Sequence, residues 1–500
     1  MSDARSRYGA ADVRYVSAFQ PEAAPSRLRF ALATADTLWN PRDPERLTVL
    51  DIGCGRGVTA ALLAAANPDW QVIGLDLQPA HIAEAQDLAA LAGLANARFI
   101  EADLAELDED ACARLLPEVD VVICYGVWTW VPDIVREGIV RLLRSRVRPG
   151  GLVLMGYNAL PGFSDAVVLQ RLIDDIARVM TGTPEERGAA AWDAVAALRQ
   201  AGAAYLPDEA TFDRLLRSVR RAPAYMVHEW LTSFWRPVFH ADLARELARA
   251  RLDYGGSANP GRSLLSLQLT AEQRAALEAA PRGACRETLT DLFLQRRFRT
   301  DIFVRGRRRG GRAILGDIRL TLNFAPEAIE MEVPTRQGGA SLPEDQLAVL
   351  AAAMADGPRR VADLAALPGL PDVGMAELAI MLVEGAAALP LWREVPPPGP
   401  RTEVARRCAA ALLEVFRAND PGGTGVLGAP VPALGSAVVA SPSDLAIIVA
   451  LQAGTPPDAA TLAARLLDPD APPEIRAQGQ EAIGRVLARR LKAWRVMGLV

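Results

Sequence analysis

The chain has 500 residues, half of them hydrophobic, and a formal net charge of −5. That much apolar material excludes global disorder and implies roughly two to four domains, while so small a charge argues against a dedicated nucleic-acid binder. The five cysteines (54, 112, 124, 285 and 408) are odd in number and never spaced as CxxC, so neither a disulfide framework nor a zinc site is expected and a reducing, cytoplasmic setting is.

The N-terminus lacks a signal-peptide core, and no apolar run approaches the ~18–20 residues of a bilayer span, so no membrane partner is expected. Basic residues are almost all arginine, Lys492 being the only lysine. From Leu47 to Tyr157 the pattern alternates strand and helix. The strands read "LTVLDIG", "WQVIGLD", "ARFIEAD", "VDVVICYG" and "GLVLMGY"; the helices include "VTAALLAAAN", "PAHIAEAQDLAALAG" and "VREGIVRLLRSRV". Nearly continuous apolar strands with helical crossovers predict a parallel sheet covered on both faces, a doubly wound, Rossmann-like α/β core. Pro149-Gly150-Gly151 turns the chain into the fifth strand.

Residues 164–222 lose the strand signal and read as a helical insertion, clearest in "DAVVLQRLIDDIARVM". A further helix, "HADLARELARARL", and strands in "LDYGGSA" and "RRFRTDIFVRG" follow, then the arginine-rich 305–312, read as a solvated turn. Beyond 341 the chain is helical, interrupted by the stiff "EVPPPGPR" (394–401), read as a linker. The stretches on either side resemble one another, each ending in a strand-like run ("AALPLW" and "WRVMGLV"), which suggests two winged-helix-like units in a mainly α C-terminal region. The third helix of the first unit, "VGMAELAIMLVEGAA", is apolar and acidic, unlike a DNA-reading helix. The expected division is a core over 1–163, the insertion over 164–222, a middle region with the last core strands over 223–340, one unit over 341–395, and the linker with the second unit over 396–500.

The chemistry concentrates in "VLDIGCGRG", residues 49–57. A buried strand ends at Asp51 and turns through Gly53, Gly55 and Gly57, where a missing β-carbon permits sharp turns and close ligand approach. The spacing is GxGxG; the dinucleotide fingerprint GxGxxG would need glycine where Val58 stands, so S-adenosylmethionine fits better than NAD or FAD. The second strand ends in Asp76-Leu77, where a carboxylate can accept both hydroxyls of a ribose. The third ends in Ala102-Asp103, suited to an adenine amino group. The candidate cofactor residues are therefore Asp51, Gly53, Cys54, Gly55, Gly57, Asp76, Leu77, Ala102 and Asp103, with no metal site expected.

Residues 47–157 resemble the class I S-adenosylmethionine-dependent methyltransferases. The wider chain resembles bacterial methyltransferases with an attached regulatory domain, related to the rickettsial protein-lysine methyltransferases. That family carries a motif like "HGVYSWVP" after its fourth strand, where this sequence has "YGVWTWVP" at 125–132; its "SYNTYPG" corresponds to "GYNALPG" at 156–162. "HEWL" (228–231) and "FRTDIFVRG" extend the likeness to about residue 310. Trp128 departs from the family's usual tyrosine.

The resemblance implies methyl transfer beside the fourth strand's carboxyl end. Tyr125, Trp128 and Trp130 would line an acceptor channel there, with Tyr157 and Asn158 as the opposite wall and His228 and Glu229 as possible helpers. Period-2 spacing would point Trp128 and Trp130 the same way from an extended segment; the competing reading makes them a packing corner. Cys124 lacks the preceding proline typical of cytosine-C5 methylases. Three functional readings stay open: a protein-lysine methyltransferase, a small-molecule methyltransferase, and a non-catalytic S-adenosylmethionine sensor. Apolar positions in the insertion (Leu169, Leu172, Ile173, Ile176, Val179, Met180) suggest a homodimer interface.

Overall fold

The computed structural model describes residues 18–221, 227, 229–281, 283, 285–336, 338–370, 373–419 and 425–500. Its centre is a sheet of β1 (Thr48–Ile52), β2 (Gln71–Asp76), β3 (Ala97–Glu101), β4 (Val119–Tyr125), β5 (Val147–Leu160), β6 (Leu252–Ser257) and β7 (Phe298–Arg305), in the order β3-β2-β1-β4-β5-β7-β6. β1 to β5 pair in parallel, and β7 runs antiparallel between β5 and β6. The apolar runs explain the parallel part: Val49, Leu50 and Ile52 of β1 and the first six residues of β4 are buried. The turn at 148–151 survives as an irregularity, since Val119 pairs with Val147 but Val121 with Leu152. Strand order reverses between β1 and β4, which opens a crevice at their carboxyl ends.

Helices α1 (Pro25–Thr34), α2 (Val58–Ala66), α3 (Pro79–Ala92), α4 (Glu109–Leu115) and α5 (Asp133–Arg146) accompany this sheet. α2 is buried along its whole length, as its lack of any polar residue except Thr59 demands. The insertion comprises α6 (Ser164–Val179), α7 (Pro184–Gln200) and α8 (Glu209–Arg221), and it has its own core around Trp192, with Leu169, Ile173, Phe212 and Trp230. Leu169 and Ile173 are thus spent inside the insertion, and of the stripe expected to pair two chains only Val179 is strongly exposed, at 83%. Helices α9 (His240–Ala248) and α10 (Arg286–Leu294) belong to the region that supplies β6 and β7.

In the C-terminal region, strand Arg319–Leu322 lies between Arg359–Arg360 and Ala388–Pro390 in an antiparallel three-stranded sheet. The stretch expected to be a linker runs directly into α11 (Pro400–Asn419), which packs on α2 and α3. Hairpin Leu427–Val431/Ser436–Ala440 covers α2 as well. The strand expected in "WRVMGLV" is instead the end of helix Pro473–Val496: Trp494 and Met497, three apart, are buried on one helical face in the same core as α2. The arginine turn is largely exposed, although Arg308–Arg309 pair with Thr37–Leu38. No described helix is long and apolar enough to cross a membrane, and no metal-ligand cluster occurs among the described residues.

Candidate active site

A cavity of about 640 Å³ opens over the carboxyl ends of β1, β2 and β4. The glycine loop forms its floor. Gly53, Gly55 and Gly57 have φ of 69°, 53° and 74°, the left-handed region that favours glycine. A β-carbon on Gly53 would strike Val127, and one on Gly57 would sit 2.6 Å from Ala85 Cβ, whereas nothing lies within 4 Å at Gly55. Gly53 and Gly55 line the cavity; Gly57 starts α2 and serves its packing. The N–H groups of Gly53 and Cys54 donate to Leu75 O at 2.8 and 2.9 Å, which ties the loop to the end of β2.

Three strand-end carboxylates converge here. Asp76 Oδ2 accepts the Gly55 N–H at 2.9 Å, and its Oδ1 accepts the Gln78 N–H at 2.9 Å with His81 Nδ1 at 3.3 Å. Asp103 Oδ1 accepts the Ala105 N–H at 2.9 Å. Burial, reinforced by the charge of Asp76, raises the Asp51 carboxyl to about 7. Burial also pushes the Cys124 thiol up to about 12, with Asp51 adding to it, and holds the Cys54 thiol far above its ordinary range, so neither is poised as a thiolate. Asp51, Cys54, Leu77, Ala102 and Asp103 all line the cavity beside these groups.

This lining is acidic. Asp51, Asp76, Asp103 and Glu229 face it, while among the described lining residues the one arginine, Arg56, is engaged by Glu84 and the one histidine, His81, by Asp76. A pyrophosphate would be repelled. A nucleoside carrying a sulfonium charge suits such a lining, and the space above Gly55 is open.

On the acceptor side the structure separates the expected residues. Tyr125, Trp130 and Asn158 line the cavity; Trp128 and Tyr157 do not. The segment expected to be extended is a 3-10 turn over Trp128–Trp130, so the period-2 argument fails and the two rings diverge. Trp128 is 2% exposed within the core, its ring 5.8 Å from the Arg136 guanidinium, whose Nε donates to Trp128 O at 2.9 Å. Trp130 instead stands 6.0 Å from Trp235, which packs edge-on to Phe163 at 5.3 Å. Tyr125 packs on Phe298 at 5.2 Å.

Tyr157 and Asn158 point to opposite faces of β5, as adjacent strand residues must. Tyr157 is buried and its hydroxyl donates to Asp301 Oδ2 at 2.6 Å. Asp301 also meets His240 Nδ1 at 3.0 Å and accepts Arg299 Nε at 2.7 Å; Arg299 in turn donates to Asp291 Oδ2 at 2.7 Å and Glu287 Oε2 at 2.9 Å. Burial pushes the Asp301 carboxyl up, but Arg299 and the His240 contact outweigh it and hold it well below the ordinary carboxylate range. This network joins β5, β7, α9 and α10.

The sequence alone does not single out Phe163, Thr232 and Phe298, which also line the cavity: they follow "GYNALPG" and "HEWL" and begin "FRTDIFVRG", and only the fold brings these distant segments together. Gln170 on α6 holds this wall: its Nε2 donates to the carbonyls of Trp230 and Thr232 at 3.1 and 2.8 Å. Glu229 is on the cavity wall; His228 lies outside the described residues.

Comparison with known proteins agrees with this geometry. Residues 49–151 match the family model of a methyltransferase domain, and 222–305 match that of a predicted methyltransferase regulatory domain. An uncharacterized protein of Synechocystis is 28% identical over 71% of this chain and 70% of its own. An uncharacterized protein of Rickettsia prowazekii is 32% identical over 25% of this chain, which spans about half (48%) of that relative. The solved structure of PKMT2 from Rickettsia typhi in complex with AdoHcy superposes with a TM-score of 0.68 at 18% identity, covering 96% of this chain and 99% of that one. With the strand order, the glycine loop and the strand-end carboxylates, these matches identify the chain as a class I S-adenosylmethionine-dependent methyltransferase with a methyltransferase regulatory domain.

Proposed function

We propose that this methyltransferase acts on the side-chain amines of protein lysines. The observation that carries the reading is the aromatic lining of the cavity, Tyr125, Trp130, Phe163 and Phe298, which Glu229 shares. Aromatic faces attract a cation by about 0.5–2 kcal/mol, more as water is excluded, and tolerate the positive charge that shifts during transfer. Likeness to PKMT2 through nearly the full length of both chains supports the same reading.

Each residue has a task. Asp76 accepts the ribose hydroxyls while it holds the Gly55 N–H, and Asp103 receives the adenine amino group. S-adenosylmethionine supplies the methyl group for an in-line displacement. The aromatic wall draws a lysine ammonium in and, by desolvation, lowers its pKa from about 10.4 so that the neutral amine becomes accessible. Glu229 attracts the ammonium and can take its proton. Asn158 orients the amine: it is 5% exposed on the cavity wall, and its Nδ2 has no hydrogen-bond partner among the described residues. An amide turned to the cavity can accept an amine N–H through Oδ1 and aim the lone pair.

The test exploits the composition of the enzyme. Lys492→Arg gives a lysine-free protein, so it cannot label its own lysines. This variant is incubated with methyl-labelled cofactor and bacterial lysate, and protein is separated from small molecules. Label on lysine in the protein fraction is expected. Label confined to small molecules would replace the reading with a metabolite methyltransferase.

A further inference from the structure

A second cavity, about 500 Å³, lies where the N-terminal segment meets the regulatory and C-terminal regions. It shares no lining residue with the cofactor cavity, although the chain passes from one to the other within a few residues: Ala18 and Gln20 line the first, Pro21 and Ala24 the second. Its volume falls in the range of small-molecule sites, and its walls combine an apolar body with a few polar groups, as such sites do. The apolar part includes Phe324, Leu389, Leu434 and Val438.

The polar part has a sign. Among the described lining residues three are arginines (27, 262 and 490) and one is a carboxylate, Glu384. Glu384 is already committed, with Arg27 Nη2 at 3.1 Å and the Gly261 N–H at 3.3 Å. The positive excess therefore rests on Arg262 and Arg490. Arg490 is held by neutral groups: its Nη1 donates to Asn323 O and Oδ1 at 3.0 and 2.7 Å, and its guanidinium lies 4.3 Å from the Phe324 ring centroid. Burial lowers its pKa, against the opposing charges of Asp444 and Glu330. Ser436, fully buried in the same wall, has an Oγ without a hydrogen-bond partner among the described residues. A buried hydroxyl left unpaired is costly.

We propose that this cavity is a binding site for a small molecule bearing one carboxylate on an apolar body. The carboxylate lies between Arg262 and Arg490, and the body packs against Phe324, Leu389 and Val438. An anion there repays the desolvation of Arg490, and arginine suits it because the planar guanidinium matches a carboxylate in two hydrogen bonds.

The test uses the full chain saturated with S-adenosylhomocysteine, so that the cofactor cavity is filled, and calorimetric titration with phenylacetate and with hexanoate. Their neutral isosteres, phenylacetamide and hexanamide, serve as controls. The double variant Arg262→Gln/Arg490→Gln is titrated in parallel; glutamine retains a donor for Asn323, and circular dichroism checks its fold. At least one acid should bind saturably, and binding should weaken at least about tenfold both for its amide and in the double variant. Equal binding of acid and amide, equal binding by variant and parent, or no saturable binding up to about 10 mM of either acid overturns the proposal.

Discussion

Trp128 and Trp130 are two residues apart, yet the structure predicts opposite consequences for their loss. Trp128 is 2% exposed and packs in the core beneath β4 and β5. Trp128→Ala should cost about 3–5 kcal/mol of stability, the usual range for a large aromatic removed from a core. The bared Arg136 adds to the loss, since its guanidinium faces that ring. Trp130 stands on the cavity wall and gives up chiefly its contact with Trp235, so Trp130→Ala should cost only about 0.5–1.5 kcal/mol of stability. Its effect appears in catalysis: losing 0.5–2 kcal/mol of cation–π stabilisation lowers the transfer rate roughly 2- to 30-fold. Denaturant unfolding measures the first quantity, and single-turnover methylation at saturating cofactor measures the second. A Trp128→Ala protein with parental stability but little activity, or a Trp130→Ala protein with parental activity, would refute this division of labour.

Asp76→Ala should weaken S-adenosylhomocysteine binding by about 1.5–3 kcal/mol, read by calorimetry, because it removes a charged acceptor and also releases the Gly55 N–H; parental affinity in a folded variant refutes the cofactor placement. The Asp51 carboxyl, raised to about 7, stabilises the ligand-free fold fully below its unfolded value near 3.9, and that contribution is lost as pH rises through about 7. A cationic cofactor favours the ionised form, so S-adenosylmethionine affinity should climb with pH and level off above about 7, and Asp51→Asn should abolish the slope. Arg299→Met should destabilise by about 3–5 kcal/mol in denaturant unfolding, since it strands buried Asp291 and Asp301; a near-parental midpoint would show the network to be dispensable. A homodimer cannot be probed at Ile173, which is fully buried within the insertion. Exposed Val168 and Val179 on α6 replace it: if this face pairs two chains, Val168→Glu/Val179→Glu should halve the mass seen by light scattering, and unchanged mass excludes the face.

Local pattern determined much of this protein. The apolar runs of β1 and β4 read as strands buried on both faces, and GxGxG after such a strand, followed by acids ending the next two, pointed to residues that line the cavity over the sheet. Both signals are short-range, so a single sequence carries them. α2 offered a further clue: "VTAALLAAA" has no polar face, so something outside the sheet had to cover it. What covers it was invisible, because α11 and the hairpin Leu427–Val431/Ser436–Ala440 arrive from more than 300 residues away. The same limit applies at the acceptor wall. Phe163, Thr232 and Phe298 share a cavity with Trp130 only once β7 is inserted beside β5 and α6 pins the 230–232 segment through Gln170. The facing of Trp128 and Trp130 was likewise decided by tertiary structure. Two residues apart, they would share a side in a strand but not in a 3-10 turn, and only the packing of the turn against Arg136 and Trp235 fixed which ring became core and which became wall.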